Sequence, residues 1–378
     1  MESSQSILIV GFDSAWTAKN RGALVGALWR PGGTLMALDK PTAANFDEAL
    51  KCIQEWQQTS APDQTLIMID QPTIVPNESG QRPVENIVSS VISRRYGGMQ
   101  PANRSKAEMF GDQAPIWTFL EALGGASDPL GAEDSIAIFE VYPTLALVAL
   151  NWIRPDEKGR STGRFPKYNP ANHAKFKSED WVYLCQNVAA ELRSFGSGME
   201  ILAQHLDALA MKEKPRKADQ DDLDACLCLI IGCLYLAGEA LMIGRPESGF
   251  IVTPYNDLLV QELMQRLNVI GLQESDWLHV LDQNRQFDSK TEPEVIATHL
   301  GEQHSRYQGI EESEEPAVTT AKDRVHKVVS EQPDDASYED IVRALAFEKM
   351  VERGLADARA GRVVSHEELR KKVRSWRR

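Results

Sequence analysis

No window of this 378-residue chain approaches the eighteen or more consecutive apolar residues that a membrane-crossing helix needs, so no membrane partner is expected. Met1 to Gln5 carry no basic stretch leading into an apolar run and a small-residue cleavage site, and a cytoplasmic location is the expectation. Cysteine is scarce. Cys52, Cys185, Cys226, Cys228 and Cys233 are odd in number and form no CxxC pair, which argues against a disulfide framework or a zinc site and for buried free thiols. Positive charge is also in deficit, with 41 Lys and Arg against 55 Asp and Glu and a net charge of −14. Phosphate binding rests on Lys and Arg, so the chain does not coat itself in nucleic acid by bulk attraction. Any such site has to be locally basic.

What is present reads as α/β with an appendage, since 378 residues exceed one typical core. The runs at Ser4–Phe12 and Gly22–Trp29 are short and apolar, as buried strands are, and Pro31-Gly32-Gly33 turns the chain into a third strand near Thr34–Asp39. Asn45–Gln58 then shows helical spacing through Phe46, Leu50, Ile53 and Trp56. Thr65–Ile69 and Ser135–Val141 are further buried strands, each with an acidic residue at or near its end. Asp219–Met242 reads as one long apolar helix with an acidic start, Phe250–Pro254 as a short strand, and Asn256–Ile270 as an amphipathic helix stopped by Gly271. These features divide the chain into a core over 1–256, a helical extension and acidic linker over 257–320 containing Glu311-Glu312-Ser313-Glu314-Glu315-Pro316, and a helical module over 321–378 with a basic end.

Acidic residues recur where a strand ends or a helix begins: Asp13 in GFDSAW, Asp70 in IDQP, Glu140 in FEVYP, and Asp221, Asp222 and Asp224 in DQDDLDA. Strand ends of an open α/β sheet are where ligands bind, so groups far apart in sequence can converge there. Asp221 and Asp224, three apart on a helix, share a face, and Asp222 points elsewhere. Clustered carboxylates raise one another's pKa, a cost that a bound hard cation such as Mg²⁺ or Mn²⁺ removes. Two such ions could activate water and stabilise the leaving oxygen of a phosphodiester, which makes hydrolysis the simplest reaction. Any one of these residues alone is more often a turn or cap residue, and Asp219 and Asp222 also fit a charge cluster favoured by the helix dipole.

With GFDSAW, IDQP, FEVYP and DDLDA in this strand order, residues 5–256 resemble an uncharacterised bacterial family of predicted ribonuclease H-like nucleases. The resemblance implies a mixed five-stranded sheet flanked by helices. It implies metal ligation by Asp13, Asp70, Asp221 and Asp224, with Glu140 matching the family's own strand motif as a further catalytic group. It also singles out Arg82 with Glu85 in QRPVE, which can equally form a local ion pair, and the loop GGMQPANRSK, where Asn103 and Arg104 are the natural phosphate contacts. Arg154–Lys177 holds seven basic residues against two acidic ones, Arg164 and Lys167 among them, interleaved with Phe165, Tyr168 and Phe176, a composition suited to phosphates and bases. Such a loop is also ordinary solvated surface.

Residues 333–376 resemble small bacterial antitoxin-like segments, most clearly in GLADARAGRVVSHEEL, which implies a protein partner or self-association through residues 321–378. Two rivals to the nuclease stay open. One is a non-catalytic scaffold acting through that terminal module. The other is an actin-like or sugar-kinase-like ATP-binding enzyme, against which GFDSAWTAKNRG counts as a poor phosphate loop. The sequence does not choose DNA over RNA.

Overall fold

The computed structural model describes residues 5–14, 16–30, 32, 34–125, 127–130, 135–156 and 159–281. The acidic run at 311–316 and the antitoxin-like segment within 321–378 lie outside the described residues. Strands β1 (Ile7–Asp13), β2 (Gly22–Arg30), β3 (Thr34–Ala37) and β4 (Thr42–Ala44) precede helix α1 (Phe46–Ser60) and strand β5 (Gln64–Ile69). Helices α2 (Pro83–Ser93), α3 (Ala107–Phe110) and α4 (Pro115–Leu123) lead to strand β6 (Ile136–Glu140) and helix α5 (Pro143–Ala149). Three helices follow, α6 (Ser178–Ser194), α7 (Glu200–Ala210) and α8 (Lys217–Leu236), and then β7 (Ala240–Arg245), β8 (Gly249–Pro254), α9 (Asp257–Ile270) and β9 (Leu278–Val280).

The main sheet is six-stranded and mixed, in the order β3-β2-β1-β5-β6 with β4 pairing β2. The first strands run antiparallel, as the turn at Gly32 dictates, whereas β1, β5 and β6 are mutually parallel. One more strand is present than the five expected, because the three-residue β4 folds back on Gly22–Leu24. The central strands are apolar on both faces because both faces are covered. Ile7 and Ile9 pack with α6, α7 and α8, while Leu8, Val10 and Phe12 pack with α1 and α4.

The long helix expected over Asp219–Met242 is shorter than its apolar pattern. It ends at Leu236, Gly238 takes a left-handed φ of 75°, and Ala240–Arg245 pairs with β8 instead. A left-handed residue cannot continue the helix, and the apolar run beyond it finds its hydrogen bonds in a strand. The resulting three-stranded sheet, β8-β7-β9, carries a second core with α2, α5 and α9. Helix α9 begins and ends as expected, with the Asn256 side chain accepting from the Leu259 amide and Gly271 left-handed at its end.

Candidate active site

Parallel pairing puts the carboxyl ends of β1, β5 and β6 side by side. Asp13 is the last residue of β1, Asp70 directly follows β5, and Glu140 ends β6. Helix α8 lies across β1 at Gly11, where its backbone takes the space of a side chain: a Cβ on Gly11 would sit 2.3 Å from the Ala225 carbonyl oxygen. That contact delivers the first turns of α8, and with them Asp221 and Asp224, to the end of β1. Asp13, Asp70, Asp221 and Asp224 line one cleft of about 560 Å³, together with Ser14, Trp16, Asn20, Arg21, Tyr168, Lys217 and Gln220.

The cleft's carboxylates are largely out of water, with Asp13 7%, Asp221 8% and Asp224 6% exposed. Burial, then the charges of Asp224 and Asp70, hold the Asp13 carboxyl well above the usual carboxylate range, with Lys217 pulling the other way. Asp70 is pushed up by burial, Asp224 and Glu140. Asp224 rises to about 6 through burial, although Lys217, Gln220 and Tyr168 all favour its charged form. Its two oxygens accept from the Tyr168 hydroxyl and from Gln220 Nε2, each at 2.9 Å. Lys217 Nζ donates to Asp221 one helical turn along. Asp222 points away and meets His205 Nε2 at 2.9 Å, while Asp219 accepts from the Arg216 amide and caps α8.

The loop after β1 is tied to the loop after β5. Ser14 Oγ donates to Gln71 Oε1 at 2.6 Å, and Trp16 Nε1 donates to the Asp70 carbonyl at 2.8 Å. These bonds fix the two strand ends relative to each other.

The other sequence-predicted residues do not line the cleft. Glu140 accepts from both terminal nitrogens of Arg82, at 2.5 and 2.7 Å, and Arg82 Nε donates to Glu85 at 2.9 Å. Arg82 is fully buried and Glu140 4% exposed, so the pair braces the protein interior, and Arg82 has no solvent face with which to meet a substrate. The local Arg82–Glu85 ion pair is present and Glu140 completes it. Asn103 Nδ2 donates to the Gly80 carbonyl, and Arg104 donates to the Phe110 carbonyl and stacks on Trp117. Arg164 is buried against Asp180, whereas Lys167 is exposed beside Tyr168. Tyr168, read from sequence as a base-stacking ring, holds Asp224 through its hydroxyl.

Sequence reasoning missed Lys217 and Gln220. The available signal was Lys217 standing four residues before Asp221, a spacing that pairs side chains on a helix. Gln220 is 8% exposed, and its Oε1 has no hydrogen-bond partner.

The donor set is entirely oxygen, as hard divalent ions prefer. Buried carboxylates that repel one another and the partnerless Gln220 Oε1 fit a cation. Among the described residues, however, no group of three His, Cys, Asp or Glu side chains is already spaced to hold an ion.

The fold and cleft define a mixed α/β protein with an acidic site at the carboxyl end of its parallel strands. The chain matches the family described as "Protein of unknown function (DUF429)" over residues 11–248 and belongs to that family. Every cleft-lining residue falls within the match. No curated protein and no solved structure matches the chain.

Proposed function

We propose that the protein is a metal-dependent nuclease of ribonuclease H-like type, which hydrolyses phosphodiester bonds of nucleic acid using Mg²⁺ or Mn²⁺ held by Asp13, Asp70, Asp221 and Asp224. The observation that carries this reading is the convergence of those four carboxylates, from β1, the end of β5 and α8, on one cleft. The strand order, an antiparallel meander followed by two parallel strands, supports the ribonuclease H-like assignment. A divalent ion held there would supply an activated water and charge neutralisation at the phosphate.

The chain's own residues prepare that chemistry. Asp13, Asp70 and Asp224 hold protons more tightly than ordinary carboxyls, so they would release protons on serving as ligands to a divalent ion. Tyr168 and Gln220 orient Asp224, as outer partners orient ligands. Exposed Lys167, next to Tyr168, supplies local positive charge for a phosphate in a chain of net charge −14.

The test is cleavage of labelled single-stranded, duplex, hybrid and four-way-junction substrates with Mg²⁺ or Mn²⁺. The wild type is expected to cut at least one of them, and Asp13→Asn to lose more than the roughly 10- to 100-fold that outer partners cost. Folded, metal-supplied wild type that cuts none of them overturns the proposal.

A further inference from the structure

Two basic side chains line the cleft, but Arg21 is engaged by Glu48 and the Ala43 carbonyl, which leaves Lys217 as the cation that meets the aspartates. Lys217 is the first residue of α8, where the helix dipole disfavours positive charge. Its ammonium nevertheless turns into the cleft and bonds Asp221, four residues on along the helix. With Asp13, Asp70, Asp221 and Asp224 ionised and Lys217 protonated, the cluster carries three net negative charges, so one divalent ion leaves it still negative by one charge and a second would reverse its sign. Asp224 and the partnerless oxygen of Gln220 lie on the same helix, and Gln220 also lines the cleft.

We infer that Lys217 takes the place of a second metal ion, so that the cleft binds a single divalent cation, with Gln220 Oε1 as an additional oxygen donor beside the aspartates. The inference rests on the metal-binding reading above and makes it more specific. The ammonium provides fixed positive charge on the Asp221 side, and the divalent ion is left to Asp13, Asp70 and Asp224. A cation fixed by the chain does not dissociate, so only one ion has to be captured from solution.

Mn²⁺ titration of the full chain, followed by electron paramagnetic resonance and calorimetry, tests this without reference to cleavage. The expected result is one Mn²⁺ per wild-type chain, two per Lys217→Met chain, and one per Lys217→Arg chain, which keeps the charge. Circular dichroism on the same samples verifies that each variant is folded. Two ions on the wild type or on folded Lys217→Arg overturn the inference, as does a single ion on folded Lys217→Met, and each of these leaves the metal-binding reading standing. No Mn²⁺ on any of the three overturns both.

Discussion

Two groups of buried carboxylates sit at neighbouring strand ends, and they are built on opposite principles. Around Arg82, the side chains of Glu85 and Glu140 are matched by a guanidinium that meets both, and Glu85 also accepts from the Ala102 amide. In the cleft, four aspartates share one lysine. The first group is internally satisfied and closed to solvent. The second leaves charge uncompensated and opens on a cavity. An acidic residue at a strand end is therefore not by itself a sign of chemistry; what separates Asp70 from Glu140 is whether the protein has already supplied the cation.

The largest effect that would sharpen this contrast comes from Arg82→Met. Removing the guanidinium leaves Glu85 and Glu140 buried without their partner, which costs about 3 to 5 kcal/mol of stability. Chemical denaturation measures it, and a loss below about 1 kcal/mol would mean that the triad is not the brace described here.

Asp224→Asn is expected to act in the opposite direction. The folded pKa of Asp224, about 6 against an ordinary 3.8, means that its stabilising contribution is fully present below pH 3.8 and is lost as pH rises through about 6. The variant should match the wild type in acid and exceed it above that window, by on the order of 2 to 3 kcal/mol at 1.36 kcal/mol per pKa unit. Thermal melts across that range measure the difference, and a variant less stable than the wild type at neutral pH would refute the electrostatic account.

Tyr168→Phe is the smallest change. It removes one hydrogen bond to Asp224 and is expected to cost about 1 kcal/mol. It should also raise the Asp224 titration midpoint, since the hydroxyl favours the charged form. Carboxyl titration by NMR reads that shift, and an unmoved midpoint would separate the bond from the acidity of the site.

Much of this was legible in the chain. The apolar runs at β1, β2, β5 and β6 are short and bounded by turn residues, and the order of hairpin, helix and strand follows from them. Asp13, Asp70, Asp221 and Asp224 were visible because strand ends and helical spacing are local properties. What was hidden depends on distant partners. Glu140 lies 58 residues from the arginine that neutralises it, and Tyr168 lies 56 from Asp224. Strand β7 was hidden for another reason: Ala240–Arg245 is as apolar as the helix before it, and only Gly238 marks the boundary.

The seating of α8 on Gly11 has a bearing on how this protein can vary. Main-chain atoms of the helix abut main-chain atoms of the strand, so the interval between Asp13 and Asp224 is gauged by two backbones, with no side chain interposed as a spacer. Substitutions among the leucines, isoleucines and cysteines on the flanks of α8 can therefore accumulate without altering the gape of the cleft, whereas a single added methyl at Gly11 would wedge the jaws apart.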